Sequence, residues 1–264
     1  RCLVSGSSGF VGQHLVAKLE QLGHTVIRGD RKGECLEVDY IFDCASYGNI
    51  YGQNDRGMIF EANVTRLLRL LENTAHYDYK GFVVTSSSSV GLPHTTFYAA
   101  TKRAGEALGK ACADDLNKPV VIVRPYSVTG VGDHEEHLIP KLIAAAFTGE
   151  GIPFVSEPVH DWIDVEDLID AFIIISQHAQ VYKGEVFEIG SGNQHTNEEI
   201  KQMVEMITKK KINTIPVNGM RRYDTDTWVA NPSKIWNLGW KPQKHIMETL
   251  SNMVVDYEKQ RLKT

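Results

Sequence analysis

Cysteine is scarce in this sequence and long apolar runs are missing, and each absence excludes a class of protein. The four cysteines, Cys2, Cys35, Cys44 and Cys112, show no metal-ligand spacing, so we expect free thiols and no bound metal. No stretch is long enough to cross a bilayer, and none resembles a signal peptide. We therefore expect a cytoplasmic protein with no membrane partner.

An excess of positive charge is also missing. The chain has 28 lysines and arginines against 33 acidic residues, and its net charge of -5 gives no reason to expect a nucleic-acid partner. What is present fits a globular protein: 264 residues, 42% of them hydrophobic and 23% charged. This length allows one large domain or two small ones.

The chain begins with a pattern of strand, glycine turn and helix. A short apolar segment at 2–5 precedes three glycines spaced G-x-x-G-x-x-G, and apolar residues at helical spacing follow. Gly6 permits a tight turn, Gly9 lets backbone N–H groups approach a pyrophosphate, and Gly12 allows close helix–strand packing. Glycines often only mark turns, but this position between strand and helix indicates a dinucleotide-binding βα unit.

A second strand, at 24–28, is followed by the first charged candidates for cofactor binding. Asp30 lies 18 residues after Gly12, where an acid would meet an adenosine ribose 2′-OH. A turn residue or helix cap is an equally good interpretation of Asp30. Arg31 could accept a 2′-phosphate, so NADP stays open, but Asp30 would repel that phosphate and NAD is preferred.

Further strands alternate with helical patterns along the first half of the chain. We predict strands at 40–45, 82–85 and 120–125, and helices at 58–74 and 98–115. Strands separated by helices indicate parallel βαβ units, so the predicted fold is α/β, a Rossmann-like doubly wound parallel sheet.

Several candidate residues share one position in this predicted sheet. Gly6, Asp30, Ala45, Ser87 and Tyr126 each follow the carboxyl end of a predicted strand. Ligands of such sheets bind at the carboxyl ends of the strands. The sequence therefore predicts that these residues form one site.

Chemistry-bearing side chains cluster between 85 and 102. Tyr98 and Lys102 are four residues apart, so they share one helix face, and a nearby ammonium favours the phenolate. A hydroxyl from the run Ser86 to Ser89 could orient a substrate oxygen toward that phenol. Such a trio suits proton transfer at a carbinol oxygen while hydride moves to or from a cofactor. Taken alone, this stretch is better explained by chance.

In order along the chain, these motifs resemble those of the extended short-chain dehydrogenases/reductases, of the NAD-dependent nucleotide-sugar epimerase/dehydratase kind. The further matching segments are Asn63-Val64, Ser86 to Gly91, Arg124 to Gly130, His160 to Asp167, Phe187 to Gly192 and Leu238 to Pro242. Each motif is modest by itself. Their common order along the chain makes a chance match implausible.

The resemblance implies a catalytic trio. Tyr98 would be the acid/base, and Lys102 would lower its pKa and bind the nicotinamide ribose. The family's catalytic Ser or Thr stands three residues before the Val of its Ser-Ser-x-x-Val pattern, which is Val90 here and selects Ser87.

The resemblance also implies cofactor contacts beyond the glycines. Phe10 and Val11 would present backbone N–H groups to the pyrophosphate. Ala45 and Ser46, after the third strand, would line the cofactor, as would Tyr126.

Substrate contacts are implied in the second half of the chain. Ser127 stands where the family's Arg-Pro-x-Asn-Val pattern has Asn. His137 and Leu138 match a segment that closes over the substrate nucleotide, and Arg222 matches an arginine that grips the diphosphate. For His137 and Arg222, a solvated surface residue is an equally good interpretation.

We predict two units built discontinuously. Residues 1–130 plus about 159–182 would form the NAD(P)-binding Rossmann domain, and 131–158 plus about 183–264 a smaller substrate-binding lobe. The resemblance further implies a homodimer formed through the helices at 58–74 and 98–115.

The reaction is narrowed by residues that are missing. Related 4,6-dehydratases carry an acidic pair after the catalytic hydroxyl residue, and Ser88 and Ser89 stand there instead. We therefore predict an NAD-dependent nucleotide-sugar epimerase. A net dehydrogenase or reductase is the alternative, and a non-catalytic dinucleotide-binding protein the third. The short span of 11 residues from Ser87 to Tyr98 is compatible with a small, open sugar pocket, with an unusual substrate or with an inactive relative, although the intact Ser87, Tyr98 and Lys102 argue against inactivity.

Overall fold

A six-stranded parallel sheet forms the centre of the computed structural model, which describes residues 1–29, 37–50, 52–217 and 224–263. Its strands are β1 (Cys2–Ser5), β2 (Val26–Gly29), β3 (Tyr40–Asp43), β4 (Gly81–Thr85), β5 (Val120–Pro125) and β9 (Val186–Ile189). They lie in the order β2-β1-β3-β4-β5-β9, and every neighbouring pair is parallel. The predicted doubly wound sheet is therefore confirmed.

Helices cover both faces of this sheet. They are α1 (Phe10–Gln21) and α6 (Val165–Gln177) on one face, and α3 (Arg66–Thr74) and α4 (Phe97–Leu116) on the other. Adjacent residues of one strand belong to different cores: Val83 packs with α1 and α6, whereas Phe82 packs with α3 and α4. Because both faces are covered, the inner strands β1, β3, β4 and β5 consist mainly of buried apolar residues. Within the described ranges, no helix has the length and apolarity to span a membrane.

The helix predicted at 58–74 begins earlier and contains an irregular turn. Asp55 caps its start by accepting a hydrogen bond from the Met58 N–H at 2.9 Å, so α2 spans Arg56–Phe60. Residues Glu61–Thr65 form a π-helical turn before α3 continues the same helix. Such turns insert one extra residue, and the apolar spacing that predicted the helix does not reveal them.

A second hydrophobic core lies beside the sheet. It is formed by α5 (Leu138–Thr148), α7 (Asn197–Thr208) and α9 (Ile246–Arg261). Short strands accompany these helices: β6 (Ser127–Thr129), β8 (Val159–Asp164) and β10 (Gln194–Thr196) form one sheet, and β7 (Ile152–Phe154) pairs with β11 (Thr214–Pro216). This core contains helices from both segments of the predicted lobe.

The predicted start of the second lobe segment, at about 183, needs correction. Strand β9 lies after that boundary but pairs with β5 in the main sheet. Its Phe187 and Ile189 are fully buried in the core under α1 and α6, and the later Ile235 and Trp240 join the same core. A four-residue strand at a sheet edge has too few residues for its pattern to reveal which core it joins.

Asp161 joins β8 to two later segments. Its buried carboxylate accepts hydrogen bonds from the Ser191 N–H at 2.7 Å and from the Gly192 and Ala230 N–H groups at 3.0 Å. Gly190 is required beside it, because a Cβ there would lie 2.5 Å from Asp161 Oδ2. An ionised carboxylate is suited to this place because it only accepts hydrogen bonds.

Asp161→Asn should therefore destabilise the protein. The amide would turn an NH2 group toward N–H donors, at a cost of about 3 kcal/mol in the free energy of unfolding. Urea titration would measure this change. Asp170→Asn is the matched control, because Asp170 pairs with Lys18 at 2.7 Å on the surface and its loss should cost less than about 0.5 kcal/mol. Equal stability of the two variants would contradict this account of the junction.

Candidate active site

One cleft of about 2830 Å³ runs along the carboxyl ends of the central strands and continues into the second core. Its lining includes these candidate residues: Gly6, Gly9, Phe10, Val11, Gly12, Ala45, Ser46, Ser87, Tyr98, Lys102, Tyr126, Ser127, His137 and Leu138. Asp30, Arg31 and Arg222 lie outside the described residues. The strand-end residues Gly6, Ala45, Ser87 and Tyr126, which were predicted to form one site, all line this cleft.

The turn after β1 has the shape that a dinucleotide pyrophosphate needs. Gly6 has a φ of +64°, and its carbonyl accepts a hydrogen bond from the Gly9 N–H at 3.0 Å. A Cβ at Gly12 would lie 2.1 Å from the Gly6 oxygen, so only glycine allows α1 to begin this close to the turn. Because α1 starts at Phe10, its free N–H groups and positive dipole end face this turn. These residues fit a dinucleotide.

Gly12→Ala should disrupt this turn. We expect the affinity for NAD to fall by more than about tenfold, which is ~1.4 kcal/mol. Isothermal titration of both proteins with NAD would measure it. Gly91→Ala is the control, because no heavy atom lies within 4 Å of a Cβ placed there. Unchanged NAD affinity in Gly12→Ala would show that the turn is not part of the binding site.

Helix α4 carries Tyr98 and Lys102 into the cleft. Thr96 caps it by accepting from the Ala99 N–H at 3.1 Å, which fixes the helix start and puts Tyr98 in the first turn. Lys102 is 5% exposed; its Nζ donates to the Thr85 carbonyl at 2.9 Å and lies 5.8 Å from the Tyr98 ring centroid. The pair predicted from the four-residue spacing therefore does meet at the end of β4.

Ser87 stands on a tight turn directly after β4. Its Oγ accepts a hydrogen bond from the Ser89 N–H at 3.2 Å and so caps a short 3₁₀ helix at Ser88–Gly91. Arg103 of α4 donates to the Val90 carbonyl and ties this helix to α4. Because the Ser87 hydroxyl accepts within the turn, its hydrogen remains available for an oxygen in the cleft.

A buried ion pair lies next to the same turn. Glu106 is 8% exposed, and Arg124 of β5 donates to its two oxygens at 2.7 Å each, while Ser86 Oγ donates at 2.5 Å. The hydrogen bond to Glu106 raises the pKa of Arg124. No role was predicted for Glu106 from the sequence. Its spacing of four residues from Lys102, on the same helix face, was the available signal.

Asn63, in the π-helical turn, connects three parts of the site. Its amide nitrogen donates to the Tyr47 carbonyl at 2.9 Å and to Thr101 Oγ1 at 3.0 Å, and its oxygen accepts from the Tyr47 N–H at 3.1 Å. Thr101 in turn donates to the Tyr98 carbonyl at 2.9 Å. Asn63 therefore holds the loop after β3 against the first turn of α4.

Arg66 provides a second buried ion pair, at the dinucleotide end of the cleft. Its guanidinium lies 2.7 Å from Asp43 at the end of β3 and donates to Ser5 Oγ of β1 at 3.3 Å. It also donates to the Ala45 carbonyl at 3.3 Å. The Asp43 side chain is only 4% exposed, so the Arg66 guanidinium takes the place of water beside the carboxylate.

Arg66→Leu should leave the Asp43 carboxylate buried without a countercharge. We expect a loss of about 3 kcal/mol in the free energy of unfolding. Guanidinium titration would measure it, and the double variant with Asp43→Asn should recover part of the loss. Arg69→Leu on the same helix is the control, because Arg69 and Glu61 form an exposed pair at 2.7 Å whose loss should cost less than about 0.5 kcal/mol. Similar losses in both single variants would contradict this account.

The wall beyond Tyr126 is aromatic. Ser127 Oγ lies 3.0 Å from His160 Nδ1, and the His160 ring lies between the rings of Trp162 and Trp228, at centroid distances of 5.1 and 4.9 Å. All four residues line the cleft. Ser127 was predicted from the sequence as a site residue, whereas His160 was not predicted to line the cleft. The alternation of His160 and Trp162 along β8 puts both on one face and was the available signal.

His137 is partnered inside the protein. Its Nδ1 lies 2.7 Å from Asp133, whose side chain is 1% exposed and also accepts from Thr129 Oγ1 at 3.1 Å and from the His134 N–H at 2.7 Å. An ionised carboxylate only accepts, so Nδ1 carries the proton and Nε2 is the ring nitrogen left for another partner. The spacing of four residues between Asp133 and His137 was visible in the sequence.

The chain belongs to the NAD-dependent epimerase/dehydratase family, whose model matches residues 2–38 and 33–190. A UDP-glucose 4-epimerase of Lactobacillus helveticus is 26% identical over 306 aligned positions that cover 92% of each chain. A GDP-6-deoxy-D-mannose reductase of Pseudomonas aeruginosa is 24% identical and covers 98% of this chain and 97% of its own. The family predicted from the motifs is confirmed.

The fold is confirmed independently by solved structures. MoeE5, in complex with UDP-glucuronic acid and NAD, superposes with a TM-score of 0.89 and 24% identity, covering 98% of this chain and 99% of its own. Because the likeness extends over almost the whole of both chains, it includes the second core as well as the sheet.

Proposed function

We propose that this chain is an NAD-dependent nucleotide-sugar epimerase that acts by transient hydride transfer through a keto-sugar intermediate. The observation that carries the proposal is the meeting of Ser87, Tyr98 and Lys102 at the carboxyl end of β4, in the same cleft as the Gly6 turn. NAD is the cofactor that the family's description names, and NADP stays the alternative.

In this proposal Tyr98 moves the proton and its neighbours prepare it. Tyr98 takes the proton from a sugar hydroxyl and later returns it, and Ser87 donates a hydrogen bond to the same oxygen. The Lys102 ammonium, 5.8 Å from the ring centroid, stabilises negative charge on the phenol oxygen. A nicotinamide dinucleotide in the cleft supplies the reversible hydride acceptor that oxidising and re-reducing the carbinol carbon requires.

Two features favour epimerisation over dehydration. Ser88 and Ser89 follow Ser87, so no carboxyl group stands there to act as the extra acid or base that elimination of water requires. Only residues 92–96 separate the 3₁₀ helix from α4, and in this proposal the short loop leaves room for a keto sugar to present its other face before it is reduced again.

A net reductase or dehydrogenase is the second candidate, because the reductase relative from Pseudomonas aeruginosa covers nearly the whole chain. The third candidate is a non-catalytic dinucleotide-binding protein. A reductase consumes cofactor in proportion to product, whereas an epimerase restores it in every turnover. The two enzymes are therefore distinguished by the absorbance of reduced nicotinamide.

A homodimer in the cytoplasm is part of the proposal. Phe60 and Leu68, on a helix that the family resemblance assigns to a dimer, lie outside the cleft lining and are 54% and 38% exposed. Exposed apolar side chains on such a helix suit burial against a second copy.

The deciding experiment incubates the protein and NAD with UDP-, dTDP-, CDP- and GDP-sugars. We expect one sugar to be inverted without a net change at the absorbance band of reduced nicotinamide. Tyr98→Phe should lower kcat by about 10²- to 10⁴-fold and keep NAD binding. Tyr77→Phe, outside the cleft, is the control.

Stoichiometric loss or appearance of reduced cofactor would replace the epimerase by the reductase or dehydrogenase. Full biological activity of Tyr98→Phe with retained NAD binding would leave only the non-catalytic candidate.

A further inference from the structure

Glu188, on strand β9, contacts a cleft residue and a later chain segment with a single oxygen. Its Oε2 accepts a hydrogen bond from the Tyr126 hydroxyl at 3.3 Å and another from the Asn231 N–H at 2.9 Å. Tyr126 lines the cleft after β5, where the dinucleotide is proposed to bind. Asn231 ends a segment without helix or strand, residues 224–231, which we call the strap.

The strap forms part of the other end of the cleft. Asp224 and Trp228 line the cleft, and the Trp228 ring lies 4.9 Å from that of His160. The strap is held at two consecutive amides by two carboxylates, since the Ala230 N–H donates to Asp161 at 3.0 Å and the Asn231 N–H to Glu188. Of these two carboxylates, only Glu188 also contacts a residue of the proposed dinucleotide pocket.

The Glu188 side chain lies next to Arg124. Arg124 Nη1 lies 3.8 Å from its other oxygen, and Arg124 is itself fixed by its two hydrogen bonds to the buried Glu106. The pKa of the Tyr126 phenol is raised by burial first and by the Glu188 charge second, so the hydroxyl keeps its proton and donates at neutral pH. Because Tyr126 and Asn231 share Glu188 Oε2, a displacement of this oxygen at one contact alters the other.

We propose that Glu188 is a positioning residue that couples the two halves of the site, so that dinucleotide bound against Tyr126 orders the strap for the nucleotide sugar. The inference rests on the proposed function, because it requires that the cleft bind both ligands. A dinucleotide that holds Tyr126 in place also holds the shared Glu188 oxygen and the Asn231 amide bonded to it. Less conformational entropy is then lost when the second ligand binds. By linkage, the second ligand must strengthen binding of the first by the same factor.

The test measures NAD affinity by isothermal titration, with and without saturating nucleotide. UDP, dTDP, CDP and GDP are screened first, and the tightest binder is used because these diphosphates cannot react. We expect the nucleotide to raise NAD affinity about fivefold or more in the unaltered protein, and Glu188→Ala to lose this factor. Tyr126→Phe, which removes only the cofactor-side contact, should lose it as well.

Glu185→Ala is the matched control. Glu185 lies three residues earlier and pairs with Lys234 at 2.6 Å on the surface, away from the cleft. It should keep the full coupling. The thermal midpoint of Glu188→Ala should equal that of Glu185→Ala, because water can replace the carboxylate at the exposed Asn231 amide. A role in stability alone would instead lower the midpoint and leave the coupling intact.

Hydrogen exchange of the strap gives a second readout that needs no nucleotide. NAD should slow exchange of the 224–231 amides in the unaltered protein and leave it unchanged in Glu188→Ala. Coupling that is absent from the unaltered protein, or that persists in Glu188→Ala and Tyr126→Phe, would overturn the inference. Failure of the unaltered protein to bind NAD or any of the four diphosphates would overturn the proposed function and this inference together.

Discussion

Parallel pairing of the central strands is the constraint on which the rest of the site depends. Because β1, β3, β4 and β5 all run in one direction, the residues that follow them must meet at one edge of the sheet. Each strand end contributes a different structural feature to the cleft. These features are a glycine turn after β1, a loop after β3, a serine turn after β4 and a tyrosine after β5. Helix α4 then only has to start at the right residue to bring Tyr98 and Lys102 to the same edge.

Buried charges hold these strand ends in position. Arg66 joins β1 and β3 through Ser5 and Asp43, while Arg124 joins β5 to α4 through Glu106. In both cases a planar guanidinium bridges elements that are far apart in sequence, which suits its fixed fork of donors. Such pairs contribute less to net stability than to a unique arrangement, because desolvation offsets much of their attraction. Here they hold the ends of β1, β3 and β5 in one arrangement at the edge of the sheet.

Sequence motifs predicted the features that depend on residues close together in the chain. The glycine turn and the Tyr98–Lys102 pair follow from spacing along a few residues, and both were found from the sequence. The Arg66–Asp43 pair joins residues 23 apart, so no periodicity reveals it. The π-helical turn at Asn63 is invisible for a related reason, since its apolar neighbours still fit a regular helix. Strand β9 was assigned to the wrong unit because four residues do not specify which core they join.

We propose that the hydride removed when the sugar is oxidised is the same one that is returned when the keto sugar is reduced. The most direct test is turnover in deuterium oxide, followed by nuclear magnetic resonance of the inverted sugar. In the proposed reaction the hydride would return to the carbon it left, so the product should carry hydrogen at the inverted carbon. Stoichiometric deuterium at that carbon would contradict the account, because it would show inversion by proton exchange with solvent.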